Sequence, residues 1–498
     1  MRTVWKRWTG RGAQFARRFG RADSANVVML VGLLTLPMFA GAGLAIDSAR
    51  AFVVENRLGK ALDAAGLAAG RVVMEDRMEA DARAFFAANY PDGLLGSDLS
   101  ADDVDIQVDS NDEFITVRAT TQMPTRFMRV FGQDHVEVAA TSVIQRLTQG
   151  AEIALVMDNT GSMSAYEMSS MKGAAADLVE IVFGEEDSYD HLWWSLVPYT
   201  ATVNVGDQHI DWLKPTTEAR DDDEDWYWPT NWKGCVEARW QTDRDETDDP
   251  PSIERFESYF YPSTVPYPHP AEGNEWSWSE GVNESQSAGN SGYGPNLGCG
   301  PAITPLTNQK QEVLDAIDEM ASWSRGGTAS NFGLVWGWRT LSPRWRGLWD
   351  GSSRPEDYDN EEMNKVAIVL TDGVNQFYDC VEHGGGCDPR EDDQFVSDYT
   401  AYGRLGLPGG FIPDADDEGD GLETLDNKFA SVCSDMKEEG ITIYTITFGS
   451  SAEGWEIQNL FRTCASDPGN YFHAPDNAQL AEAFRAIGQE LSNLRIVE

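Results

Sequence analysis

Between Val27 and Ile46 the chain carries no charged side chain and is mostly apolar. A bilayer core offers no water to backbone N–H and C=O groups, so such a run crosses it only as a helix, and about 20 residues suffice. Ahead of it stand Arg2, Lys6, Arg7, Arg11, Arg17, Arg18 and Arg21, with no acid before Asp23. The positive-inside rule therefore predicts a cytoplasmic leader over residues 1–25, a span over 26–46 and the remainder outside. A cleaved secretory signal is the competing reading. The run exceeds the usual apolar core of about 7–15 residues for such signals, although Gly43 and Ala45 would suit cleavage. Pro37 predicts a kink, which membrane helices tolerate. Beyond Asp47, the residues Leu58, Ala61, Leu62, Ala65 and Ala69 recur at helical spacing. They predict one rod continuing to Tyr90, where Pro91-Asp-Gly breaks it.

Residues 91–149 read as strands at Val104–Val108 and Phe114–Ala119, a short helix at Pro124–Phe131 and a strand at Val136–Gln145. Residues 47–149 thus form a helix plus a small α+β module. From residue 150 to 498 the pattern becomes α/β. Short apolar runs at Ile153–Met157, Leu192–Val197, Val366–Leu370 and Ile441–Phe448 predict buried strands. Helical segments fall between or after them at Met168–Phe183, Asn308–Trp323, Asn331–Leu341, Asn427–Glu439 and Asn477–Leu494. This alternation predicts a mostly parallel sheet with helices on both faces, and ligand sites at the carboxyl ends of its strands.

Two stretches interrupt the alternation and read as insertions. Residues 206–300 are rich in Trp, Asp, Pro and Ser, and include Trp212, Trp226, Trp228, Trp232, Trp240, Trp276 and Trp278. Aromatic packing is the favoured reading there, ahead of a sugar-binding or partner surface. Residues 376–426 are rich in Gly and Asp. Within them Asp414–Asp420 starts like a calcium loop, but Leu425 stands where a bidentate Glu is required. A solvated acidic loop is the simpler reading.

The net charge of −44 makes nucleic acid, or an anionic lipid surface, a poor partner for the main body. All six cysteines lie in the part expected outside, so an oxidising compartment and disulfides are expected. Sequence leaves several connectivities open. The working pairs are Cys235 with Cys299, Cys380 with Cys387, and Cys433 with Cys464. No nucleophile–base arrangement, phosphate loop or paired histidines stand out, so an enzyme is not expected.

Three segments carry chemistry. Asp158-Asn-Thr160-Gly-Ser162 follows one predicted strand directly, Thr371-Asp372-Gly373 follows another, and Gly326-Gly-Thr328 precedes a helix. Taken singly, each can be plain structure: a helix cap, a turn or a loop. Taken in order, Asp158, Thr160, Ser162, Thr328 and Asp372 offer two carboxylates and three hydroxyls, with no soft ligand. Mg²⁺ suits such a set, with Mn²⁺ or Ca²⁺ as alternatives. Hydroxyl ligands add no charge, so the ion would stay electrophilic. A helix opening after Ser162 would also aim its positive dipole end at the site.

This order resembles the metal-ion-dependent adhesion site (MIDAS) of von Willebrand factor A domains. The resemblance implies that Asp158, Thr160, Ser162, Thr328 and Asp372 surround the ion, some through water. Thr160 stands where many members have Ser and keeps the hydroxyl. More widely, the chain resembles the TadG-type proteins of the Tad (Flp) pilus machinery. That likeness runs through the basic leader and anchor, the stretch from Arg57 to Ala69, and the adhesion-site motif. It continues from Cys433 through Gly440–Phe448 to Cys464-Ala-Ser and Tyr471-Phe472. A long helix leading into a small antiparallel sheet is also similar in plan to pilins. The resemblance implies a Rossmann-like A domain with large insertions, carried on a transmembrane helix and a small α+β module. It implies a single-pass protein of the bacterial inner membrane, its C-terminal domain periplasmic or at the cell surface. Its expected role is pilus assembly or adhesion, with pilus-assembly proteins or an acidic protein ligand as partners. The alternative is a structural pilin-like subunit in which the A domain is a passenger.

Overall fold

The computed structural model describes residues 23–70, 75–108, 114–145, 150–184, 186–215, 231–262, 274, 276, 281–349, 351, 353–378, 397–405, 411 and 418–494. The chain divides into two units, one ending at residue 147 and one running over 148–495.

In the first unit, α1 (Asp23–Gly70) contains Pro37 and holds a stretch long and apolar enough to cross a membrane. Leu33, Met38, Phe39 and Leu44 are exposed on it. Past Asp47 the helix changes character: Val54, Leu58, Ala61, Leu62, Ala65 and Ala69 are buried. They do not continue as one rod to Tyr90. The helix stops at Gly70, and α2 (Glu75–Asn89) folds back alongside it. The Arg50 guanidinium donates to the Leu95 carbonyl at 2.8 Å, which brings the far end of α2 back to the level of residue 50. The reason is periodicity. Met78, Ala82, Phe86 and Tyr90 form a stripe that a single rod would leave in water, and the hairpin buries it.

The hairpin is covered by an antiparallel sheet of β1 (Asp105–Val108), β2 (Phe114–Pro124) and β3 (His135–Gln145). Gly66 permits close approach, since a Cβ there would stand 2.6 Å from Ile144 Cγ1. The short helix expected over residues 124–131 shrinks to a 3-10 turn, Met128–Phe131. The alternating pattern of β2 runs on to Pro124 and takes up the rest.

The second unit is built on β4 (Gly150–Asp158), whose nine residues are all buried. It is followed by α3 (Ala165–Phe183), β5 (Leu192–Tyr199), and the short strands β6 (Val203–Asn204), β7 (Cys235–Val236) and β8 (Thr304–Thr307). Next come α4 (Lys310–Glu319), β9 (Gly327–Thr328), α5 (Ser330–Leu341), β10 (Met363–Thr371) and β11 (Gln376–Phe377). The last elements are α6 (Glu418–Glu438), β12 (Thr442–Phe448), α7 (Trp455–Cys464), β13 (Tyr471–Ala474) and α8 (Asn477–Leu494). The main sheet has the order β13-β12-β10-β4-β5-β6-β7. Its first five strands are parallel, and β6, β7 and β8 add antiparallel pairs beside β5.

Strand alternation sorts the core onto two faces. Ile153, Leu155 and Met157 of β4 pack with Met171, Leu178, Val313, Phe484 and Ile487 from α3, α4 and α8. Ala154 and Val156 pack with Phe332, Trp336, Phe429 and Phe461 from α5, α6 and α7. The fold is α/β and Rossmann-like, a mostly parallel sheet with helices on both faces.

Helix α6 starts nine residues before the expected Asn427 and absorbs part of the acidic stretch. Acids are favourable in a first helical turn. Leu425, the non-ligand of the calcium-like pattern, is 1% exposed and belongs to the core; residues 414–417 lie outside the described set. Trp212 and Trp232 are likewise core residues, grouped with Trp336, Trp345 and Trp349. Trp240 meets Phe411 edge-on, and Trp276 meets Phe260. Trp226, Trp228 and Trp278 lie outside the described residues, as do Cys380 and Cys387. Disulfides join Cys235 to Cys299 and Cys433 to Cys464.

Candidate metal centre

Strands β4 and β10 are parallel neighbours, with Met157 opposite Leu370. Their carboxyl ends therefore deliver Asp158 and Asp372 to one edge of the sheet. The loop after Asp158 turns at once into α3, which Ser164 caps by accepting from Glu167 N–H at 3.2 Å. This keeps the 158–162 loop short and returns its hydroxyls over the strand ends.

A chain of hydrogen bonds results. Asp158 Oδ1 accepts from Thr160 N–H at 2.9 Å and from Thr160 Oγ1 at 2.6 Å. Thr160 Oγ1 and Ser162 Oγ are 2.9 Å apart. Ser162 Oγ donates to Asp372 Oδ1 at 2.8 Å. Asp158 Oδ2 accepts from Thr371 Oγ1 at 2.9 Å and from the Tyr199 hydroxyl at 3.3 Å. Asp158 is 0% exposed and Asp372 4%, whereas Ser162 faces solvent. The cluster thus opens outward at Ser162.

Thr328 sits nearby by another route. It pairs with Gln376 in the β9–β11 ladder. Ser330 donates to Asn375 Oδ1 from both its N–H (2.9 Å) and its hydroxyl (2.6 Å). Trp323 N–H donates to Asn159 O at 2.7 Å, which lays the 323–328 segment against the Asp158 loop. Among the described residues no hydrogen bond joins Thr328 itself to the four-residue cluster. Sequence reasoning misses Thr371, Tyr199, Ser330 and Asn375 as site residues. The Thr-Asp-Gly motif contains the signal for Thr371. Nothing in the sequence marks Tyr199, because its role depends on the β4–β5 register.

Burial pushes the Asp158 carboxyl above the usual range. Asp372 is pushed up to about 8, by burial first and by the charge of Asp158 second. Among the described residues no three His, Cys, Asp or Glu gather into a metal-binding group. A cation here must therefore use hydroxyls beside the two carboxyls, and the residues present fit that demand. Both side-chain atoms of buried Asn159 also lack a hydrogen-bond partner. Such orphaned groups are uncommon in a protein interior.

No protein-family model matches the sequence, and no curated protein matches it. Several solved structures are similar to it. One is the von Willebrand factor domain of the type V pili tip protein Mfa5 from Porphyromonas gingivalis, with 12% identity and a TM-score of 0.35, covering 70% of this chain and 97% of that one. Another is proximal thread matrix protein 1 from the mussel byssus with a zinc-occupied MIDAS motif, with 14% identity and a TM-score of 0.30, covering 70% and 47%. A third is the pilus adhesin SpaC from Lactobacillus rhamnosus GG, with 9% identity and a TM-score of 0.32, covering 78% and 33%.

Proposed function

We propose that the chain is a single-pass membrane protein of the TadG type, acting in pilus assembly or adhesion. In this reading a divalent cation at the Asp158–Asp372 cluster binds an acidic group on a protein partner. The observation that carries it is the convergence of Asp158, Thr160, Ser162 and Asp372, from two strand ends far apart in sequence, into one hydroxyl–carboxyl cluster open to solvent. Those four residues and Thr328 would hold the ion. When bound, the ion supplies an electrophilic position for an incoming carboxylate oxygen. Thr371 and Tyr199 fix the Asp158 carboxyl, and the N-terminus of α3 adds a positive dipole end. The all-oxygen donor set favours Mg²⁺, with Mn²⁺ and Ca²⁺ next.

The apolar part of α1 and the basic leader support residues 26–46 as the anchor, 1–25 as the cytoplasmic end, 47–149 as the membrane-proximal module and 150–498 as the exported A domain. The inner membrane is the proposed location. The site reads as a binding module rather than an enzyme, because its hydroxyls lie beside carboxyls already engaged as acceptors.

Calorimetric titration of Mg²⁺ into wild type and Asp158→Asn tests the reading. Asparagine keeps the shape and removes one charge, so binding should fall at least tenfold, about 1.4 kcal/mol. Equal affinity in the two proteins would refute a cation at this cluster.

A further inference from the structure

We propose that the tip of the β2–β3 hairpin, residues 126–131, is a second membrane contact, seated in the interfacial layer of the outer leaflet beside α1. This rests on the anchor reading above. It assigns a lipid-binding role to a loop of the membrane-proximal module, independent of the metal centre.

The register of the hairpin on α1 fixes where its tip lies. Ile144 of β3 packs at Gly66, where a Cβ would meet its Cγ1 at 2.6 Å. Ser142 Oγ donates to Asp63 Oδ1 at 2.7 Å. Further along, the Pro124 carbonyl accepts from Arg50 Nη1 at 3.2 Å. Next, the Asp47 carboxylate accepts the backbone N–H groups of Arg126 (2.9 Å), Phe127 (2.8 Å) and Met128 (2.9 Å). Last, Phe127 lies on Gly43, where a Cβ would stand 2.6 Å from Phe127 Cβ. Each step down the hairpin is a step down the helix toward the apolar run. Gly43 lies three residues inside the end of that run at Ile46, or roughly 4.5 Å at helical rise. The tip therefore reaches past the boundary that Asp47 marks.

What the tip carries is wrong for water. Phe127, Val130 and Phe131 are 46%, 80% and 64% exposed. Hairpin turns in water favour Gly, Asn, Asp and Ser, and clustered exposed apolar side chains mark an interaction site. Arg126 precedes them, Arg129 stands between Phe127 and Val130, and both arginines are exposed. Arginine stems can lie along apolar surface while the guanidinium reaches lipid phosphate, and aromatic rings favour the same layer. On α1 itself Phe39, Leu44 and Ile46 are exposed apolar side chains as well. A lipid leaflet covers both at once. The buried, triply accepting Asp47 holds the tip at that depth.

The experiment uses the full oxidised chain with one added cysteine carrying an NBD fluorophore. It is reconstituted into phosphatidylcholine–phosphatidylglycerol vesicles containing nitroxide lipids. Val130→Cys should emit blue-shifted light and be quenched more by a nitroxide near the headgroup than by one deep in the acyl chain. Leu34→Cys, in the span, should show the reverse order, and Asp81→Cys on α2 should be unquenched. Quenching at residue 34 but none at residue 130 would overturn the tip contact and leave the anchor standing. A blue-shifted but unquenched probe at residue 130 would mean cover by protein, which also overturns it. No quenching at residue 34 would overturn the anchor reading itself.

Discussion

Ser162 donates its hydroxyl proton to Asp372 at 2.8 Å, across 210 positions of sequence. That bond joins the loop after β4 to the loop after β10. It places two buried carboxyls, Asp158 and Asp372, in one hydrogen-bonded system. Neither has a lysine or arginine partner among the described residues. Burial without a countercharge raises both carboxyls, and the charge of Asp158 raises Asp372 further.

The first prediction follows from that rise. Burial and the Asp158 charge push the Asp372 carboxyl from its ordinary 3.8 up to about 8 on folding. Between those values the folded state holds the extra proton. Its stabilising contribution is complete below the lower value and is lost as pH rises through the upper one. Melting temperature of the metal-free domain should therefore fall as pH is raised from about 5 to about 9. Mg²⁺ competes with the proton, so its affinity should rise about tenfold per pH unit for each proton displaced, levelling above about 8. A pH-independent affinity over that range would contradict a proton held at Asp372.

Two glycines of α5 separate packing from site geometry. A Cβ at Gly333 would stand 2.5 Å from the Tyr199 ring, and one at Gly337 would stand 2.5 Å from Val156 Cγ2. Either alanine overpacks the same face and should cost about 1–3 kcal/mol in urea unfolding. Only Gly333→Ala displaces Tyr199, whose hydroxyl donates to Asp158 (3.3 Å) and to the Leu370 carbonyl (3.0 Å). Cation affinity should fall in Gly333→Ala and hold in Gly337→Ala. Identical affinities would mean that Tyr199 does not position Asp158.

The parallel strands were legible because short buried runs of β-branched and aliphatic residues, set between helical stretches, suit a sheet covered on both faces and little else. The meeting of Asp158, Thr160, Ser162 and Asp372 was legible because they stand just after two strand ends, where sheet topology does the gathering. The return of α2 along α1 was not. The periodicity of Met78, Ala82, Phe86 and Tyr90 shows that a face is buried, but not against what. The pairing of β9 with β11, which brings Thr328 beside the Asp372 loop, rests on two residues from each strand. No periodicity can be read from so short a stretch. Tryptophan content pointed to packing, but not to the grouping of Trp212 and Trp232 with Trp336 of α5.

Cys433 lies on α6 and Cys464 ends α7, so their disulfide clamps the two helices that cover β12. It closes 31 residues, for which chain entropy gives about 3–4 kcal/mol. Replacing both cysteines by serine should lower unfolding free energy by about that amount, with Mg²⁺ affinity retained because the clamp lies away from the site. A change below about 1 kcal/mol would show that α6 and α7 are held by Phe429 and Phe461 packing alone.

Arg325 provides the remaining prediction. Its backbone is left-handed, with φ 84°, which a non-glycine residue adopts only when its surroundings compel it. Here the compulsion is a buried fork. Arg325 Nε and Nη2 each donate to the Asp398 carboxylate at 2.6 Å, and the Tyr261 hydroxyl donates to it at 2.6 Å as well. Gly326 N–H donates to the same carboxylate at 3.2 Å. Tyr261 comes from the first insertion and Asp398 from the second, so this node ties both to the loop that leads into Thr328. Arg325→Met would leave Asp398, 0% exposed, without its cation, at a cost of about 3–5 kcal/mol. Arg325→Lys keeps the charge but not the fork, and should fall between. If the insertions serve to hold Thr328 in place, Mg²⁺ affinity should fall in the same order, wild type above lysine above methionine. Stability lost with affinity unchanged would separate the insertions from the site and make them packing alone.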